Sequence, residues 1–170
     1  MKYVTFLALL LLFSACNQQK TNHTQKLQNE IDSLQTALSN TYKPGFGEFM
    51  SNIQMHHMKL WFAGKNENWK LADFEINELK ENFEAIPKYC ADRPESGLVG
   101  IIDQPLKDVS KAVQQENLAQ FKQSFNVLTT ICVSCHKATK HNFIRIQIPD
   151  ENIFKNQVFD LRNNNATENN

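Results

Sequence analysis

The chain has 170 residues, with 18 Lys and Arg against 18 Asp and Glu, so its formal charge is zero. No basic block and no basic stretch interleaved with aromatics is present, which excludes nucleic acid as the leading partner class. Four cysteines are too few for a disulfide scaffold, so each one has to be read by its setting.

The first residues read as a leader. Lys2 carries a positive charge, an apolar core runs from Val4 to Phe13, and Ser14 and Ala15 are small. This predicts a signal peptide over 1–15, too short at about ten apolar residues to be a stable membrane span. Cys16 directly follows the small pair, and in this the stretch resembles the bacterial lipoprotein signal. The resemblance implies cleavage before Cys16, lipidation of Cys16, and a periplasm-facing or cell-surface protein tethered to a membrane it does not cross. Roughly 155 residues then remain, the size of one domain.

Residues 16–45 are predicted to be a polar tether. Leu27, Ile31, Leu34 and Leu38 are spaced four, three and four apart, so part of it can be an amphipathic helix or, alternatively, a coiled-coil pairing arm. Pro44-Gly45-Phe46-Gly47 ends that pattern. A first core helix is predicted from Glu48 to Ala63, stopping at Gly64. On a helical projection Phe49, Met50, His57, Leu60 and Trp61 fall within about 80° of Ile53, with His56 near the edge of the same arc. Met55, Met58 and Phe62 point the other way, which leaves an apolar face unexplained.

Asn66 or Asn68 can cap a second helix reaching about Lys88, where Trp69, Ala72, Ile76, Leu79, Phe83 and Ile86 repeat at steps of three and four. A loop from Cys90 to Ile102 precedes a short third helix near Asp103 and Pro105, with Leu106, Val109 and Val113 as its stripe. A fourth helix starts near Asn117. On it Leu118, Phe121, Phe125, Leu128, Cys132 and Cys135 share one seam. Phe143 to Pro149 alternates like an extended segment expected to lie over the helices, and residues 151–170 read as a tail, partly disordered.

Cys132-Val133-Ser134-Cys135-His136 organises the chain. Two thiols three residues apart, followed at once by an imidazole, form the covalent attachment pattern of a c-type haem: the thiols add to the two vinyl groups and His136 turns to the iron. A dithiol redox pair would sit exposed at the start of a helix, and a zinc site would need two more ligands at matching spacing, which Cys90 does not supply. Phe121 and Phe125 are candidate covers for the porphyrin, with Trp69, Phe74 and Phe83 as candidate walls; ordinary core packing competes for each of them.

In its motif late in the last helix, its helix count and the two upstream phenylalanines, the stretch from about Phe46 to Ile148 resembles cytochrome c-prime. The resemblance implies an all-α, antiparallel four-helix bundle over 46–150 with one covalently bound haem c. Small cytochromes of the commoner type carry the motif early and a methionine ligand late, whereas no methionine follows Met58 here.

Cytochrome c-prime proteins leave the sixth iron position open beneath an apolar residue of the first helix, and related low-spin bundles fill it with a methionine. This chain offers His57 in the inward arc, with His56 and Met50 as alternatives; a core imidazole bonded to a polar neighbour is the competing reading of His57. His136 and His57 together would suit one-electron transfer, with a redox protein as partner. An open position would instead suit a small diatomic gas such as nitric oxide. A structural lipoprotein without haem is the third reading. Pairing of two copies is left open.

Overall fold

The structure is a computed structural model and describes residues 23–38 and 41–162. The leader, Cys16 and the residues beyond 162 that the sequence assigns to a disordered tail lie outside the described residues. Among the described residues there are five α-helices and one 3-10 helix but no strand, so the protein is all-helical. None of these helices is long and apolar enough to cross a membrane.

The chain divides into two units at Lys43 and Pro44. The first holds helix α1, residues 23–38, whose side chains are all exposed, the stripe of Leu27, Ile31, Leu34 and Leu38 included. The Gln28 amide donates to Asp32 one turn on, the kind of local bond that supports a solvated helix.

The second unit holds α2 (Phe46–Lys65), α3 (Trp69–Tyr89), the 3-10 helix Pro94–Ile102, α4 (Asp103–Gln114) and α5 (Leu118–Ala138). Helix α2 packs on α3, α3 on α4 and α4 on α5, and α5 closes sparsely on α2. Two of the connections are built alike. After α2 and after α4 a glutamate turns left-handed, Glu67 at φ 59° and Glu116 at φ 51°, and the asparagine behind it returns its N–H to the helix just ended. The same asparagine, Asn68 or Asn117, then accepts from the backbone N–H of Leu71 or Gln120 and starts the next helix. One side chain thus begins a helix where its backbone ends another.

The core is lined by Phe49, Ile53 and Leu60 of α2, Ala72, Ile76, Leu79 and Ile86 of α3, Leu106, Val109 and Val113 of α4, and Phe121, Phe125 and Leu128 of α5. Helix α2 runs past Gly64 to Lys65, and Gly64 has a different role from the stop the spacing suggests. A methyl group there would run into the Phe121 ring, so the missing Cβ is what lets that ring seat against α2. Gly64→Ala is expected to destabilise the fold by about 1–3 kcal/mol through overpacking, read as a lower urea midpoint with an unchanged slope.

The unexplained second face of α2 is covered by the chain's end. Phe159 is 4% exposed and packs on Phe62 and Phe154, while Lys59 lies over the Phe154 ring. The Asn68 amide donates to the Phe159 carbonyl, and Arg162 pairs with Glu67. Packed structure therefore reaches Phe159. Phe143 lies in a turn and residues 144–149 are in no helix or strand; Ile146 and Ile148 are partly buried and Arg145 and Gln147 exposed, so the alternation of 145–148 reflects one face laid on the helices.

Candidate functional site

Cys132, Cys135 and His136 lie in the last two turns of α5, and two residues past its end Lys140 turns left-handed at φ 62°, as Glu67 and Glu116 do after α2 and α4. That turn sends the chain back: His141 N–H bonds the His136 carbonyl, and Ile144 N–H bonds the carbonyl of His141. The Ile144 carbonyl then arrives 3.1 Å from Nδ1 of His136. A carbonyl can only accept, so Nδ1 must carry the proton, and the lone pair of the neutral ring is left on Nε2. This is the tautomer and the outer hydrogen bond that an imidazole metal ligand requires.

Cys132 and Cys135 are both free thiols. Burial, together with the neighbouring Cys135, pushes the Cys132 thiol up to about 12, and burial raises that of Cys135 as well. The C-terminal end of a helix, where the dipole is negative, is a poor place for a thiolate. A redox dithiol needs an attacking thiolate, so this environment opposes dithiol chemistry. A thioether sulfur is never charged and meets no such penalty. Among the described residues no three His, Cys, Asp or Glu side chains converge as metal-holding groups do.

No protein-family model, curated protein or solved structure matches the chain. The site therefore stands on its own chemistry.

The two histidines of α2 point to different neighbours. Nδ1 of His56 lies 2.7 Å from Oε2 of Glu75, which is 1% exposed, and Nε2 is 3.8 Å from Glu78, so His56 ties α2 to α3. His57 turns to α5: its Nε2 is 2.9 Å from the Thr129 hydroxyl, and its ring lies 4.5 Å from that of Phe125. Thr129 gives its own proton to the Phe125 carbonyl at 2.9 Å, so it accepts from His57, and the proton of His57 sits on Nε2.

Successive contacts fix the register of the two helices. His57 meets Thr129 and Phe125, Trp61 meets Phe125 and Phe121, and Gly64 meets Phe121, so α2 and α5 run antiparallel. His57 therefore stands at the level of Thr129, about two turns of α5 before His136. Continued in the other direction, the same register brings the Phe49 to Ile53 stretch, Met50 included, level with the motif. Phe121 and Phe125 are fully buried between Trp61, Trp69 and His57. Phe83 is partly buried, but Phe74 is exposed and forms no wall of the core, because its place on α3 faces away from the seam.

Three features of the site escaped the sequence: Glu75, which falls on the buried stripe of α3 between Ala72 and Ile76; Thr129, one turn from Phe125; and the backbone acceptor of Ile144. The indole N–H of Trp61 is also buried without a hydrogen-bond partner among the described residues, which costs roughly 1–3 kcal/mol and leaves a spare donor at the α2–α5 junction.

Burial lowers the pKa of His57 from its ordinary 6.5 to about 4. In the haem-free protein this group contributes nothing above about pH 6.5, where the unfolded chain is neutral too. As pH falls from 6.5 towards 4 the unfolded chain takes up a proton that folded His57 refuses, and stability drops by roughly 3 kcal/mol in total. Urea unfolding at pH 7 and pH 4.5 should show this fall, with a smaller one in His57→Phe.

Proposed function

We propose that this chain is an exported, lipid-anchored four-helix-bundle cytochrome that carries one haem c and moves single electrons. The observation that carries the reading is the hydrogen bond from Nδ1 of His136 to the Ile144 carbonyl. It orients the imidazole and leaves Nε2 for iron, an arrangement that neither a dithiol nor a structural lipoprotein calls for. The α2–α3, α3–α4, α4–α5 and α2–α5 contacts support the bundle.

Haem supplies a metal centre that exchanges one electron with little rearrangement when both axial positions are filled. The chain's residues do the rest. Cys132 and Cys135 would hold the group through thioether bonds, which would keep it from dissociating outside the cytoplasm. His136 would hold the iron through Nε2, and the Phe121, Phe125 and Trp61 cluster keeps water from the interior behind the motif. His57 would be the second ligand: its ring is buried and neutral, and Nε2 would have to leave Thr129 to reach iron.

An open sixth position with gas binding is a second reading, favoured by the bond that His57 already makes to Thr129. A potentiometric titration of matured protein, repeated under carbon monoxide, tests the proposal. The electron-carrier reading expects a reversible one-electron wave unchanged by the gas. A large shift of the wave and of the reduced spectrum would select the gas binder, and the absence of any wave would reject both.

A further inference from the structure

We propose that the turn holding His136 is also the docking surface for an acidic redox protein, with Phe143 and Ile144 as its apolar centre and Lys137, Lys140 and Arg145 as its charged rim. The inference rests on the cytochrome reading and adds where the electron enters. Phe143 is 76% exposed and Ile144 42%, high for large apolar side chains in a segment otherwise laid on the helices. The three cations are exposed, and among the described residues none of them is in an ion pair.

Charge is segregated here although the whole chain is neutral. Between Glu116 and Asp150 there is no acidic residue, while Lys122, Lys137, Lys140 and Arg145 all fall in that interval. Glu95, an acid near His141, is held by Arg93 at 3.2 Å. A cationic rim about an apolar centre suits an anionic protein face, which it would steer and orient. Position selects a redox protein over a lipid surface: the Ile144 carbonyl that bonds His136 belongs to the residue whose side chain lies in the patch, so a docked partner sits one hydrogen bond from the axial ligand.

In the step, one electron leaves the reduced partner, which is oxidised by one electron, and enters the chain's redox centre, which is reduced by one. No covalent bond forms or breaks and no proton moves.

The probe is flavodoxin hydroquinone, a small acidic one-electron donor, mixed rapidly with haem-loaded protein. The wild-type rate should fall steeply with ionic strength. At low salt the triple variant K137E/K140E/R145E should react at least about tenfold more slowly, and its salt dependence should flatten or reverse sign. The variant K70E/K107E/K111E, of the same net charge but altered on α3 and α4, should stay within about threefold of wild type. Phe143→Ser should slow the reaction while keeping its salt dependence, and reduction by dithionite should be alike in all four.

Equal rates and slopes in the wild type and the first triple variant, with the Soret band intact, would overturn the proposal. So would loss of binding to phosphatidylglycerol vesicles in that variant with flavodoxin kinetics unchanged, since the patch would then serve a membrane. Protein without a Soret band would instead strike the cytochrome reading itself.

Discussion

Replacing both Cys132 and Cys135 with alanine is expected to abolish the pigment that stays with the chain through a denaturing gel, while leaving the polypeptide folded. Neither thiol makes a disulfide, and of the two only Cys132 packs on the core, so the loss there is one small side chain at the core's edge. The core at Phe121, Phe125 and Leu128 lies earlier on α5 and does not depend on the thiols. Single alanine variants should keep one thioether and much of the colour. His136→Ala should act differently: the covalent link can persist, but the axial bond and the tie to Ile144 are lost together. Haem staining of gels beside circular dichroism separates the cases, and a fully stained double variant would refute covalent attachment at these cysteines.

Thr129→Val is expected to change the spin state of the ferric protein, because His57 cannot serve Thr129 and iron through the same nitrogen. An imidazole approaches a porphyrin iron most openly through Nε2, since Nδ1 lies beside the Cβ, and here Nε2 carries the proton given to Thr129. That bond is worth about 1 kcal/mol net, so removing it should move the balance between high-spin and low-spin forms roughly fivefold towards low-spin. His57→Ala should remove the low-spin form. Absorption and EPR spectra alike in wild type, Thr129→Val and His57→Ala would take His57 away from the iron. They would leave the position to Met50, which the antiparallel register brings level with the motif, or to no side chain at all. His56 is the weaker alternative, because Glu75 and Glu78 draw it towards α3.

The helices were readable because their signals are local. Asn68 and Asn117 cap through their own side chains, and the steps of three and four along α3 and α5 register burial directly. The Cys132-x-x-Cys135-His136 pattern stands out in the sequence because the chemistry proposed for it needs only five consecutive residues. Long-range contacts were not. Thr129 is 72 positions from the histidine it holds, and nothing near either residue names the other. The acceptor for His136 is a backbone carbonyl, which every residue possesses, so only the left-handed turn at Lys140 singles out Ile144. Gly64 looked like a helix stop because glycine does end helices; its close approach to Phe121 depends on a ring 57 positions later. The covering of Phe62 by Phe159 likewise depends on the chain returning across its own first core helix.

Intact mass and absorption of protein matured in a haem-attaching host, both taken after denaturation, test the central claim most directly. The account predicts the processed, acylated polypeptide plus the mass of one haem, with a Soret band that survives unfolding. A mass equal to the polypeptide and its acyl groups alone, without a Soret band, would contradict it.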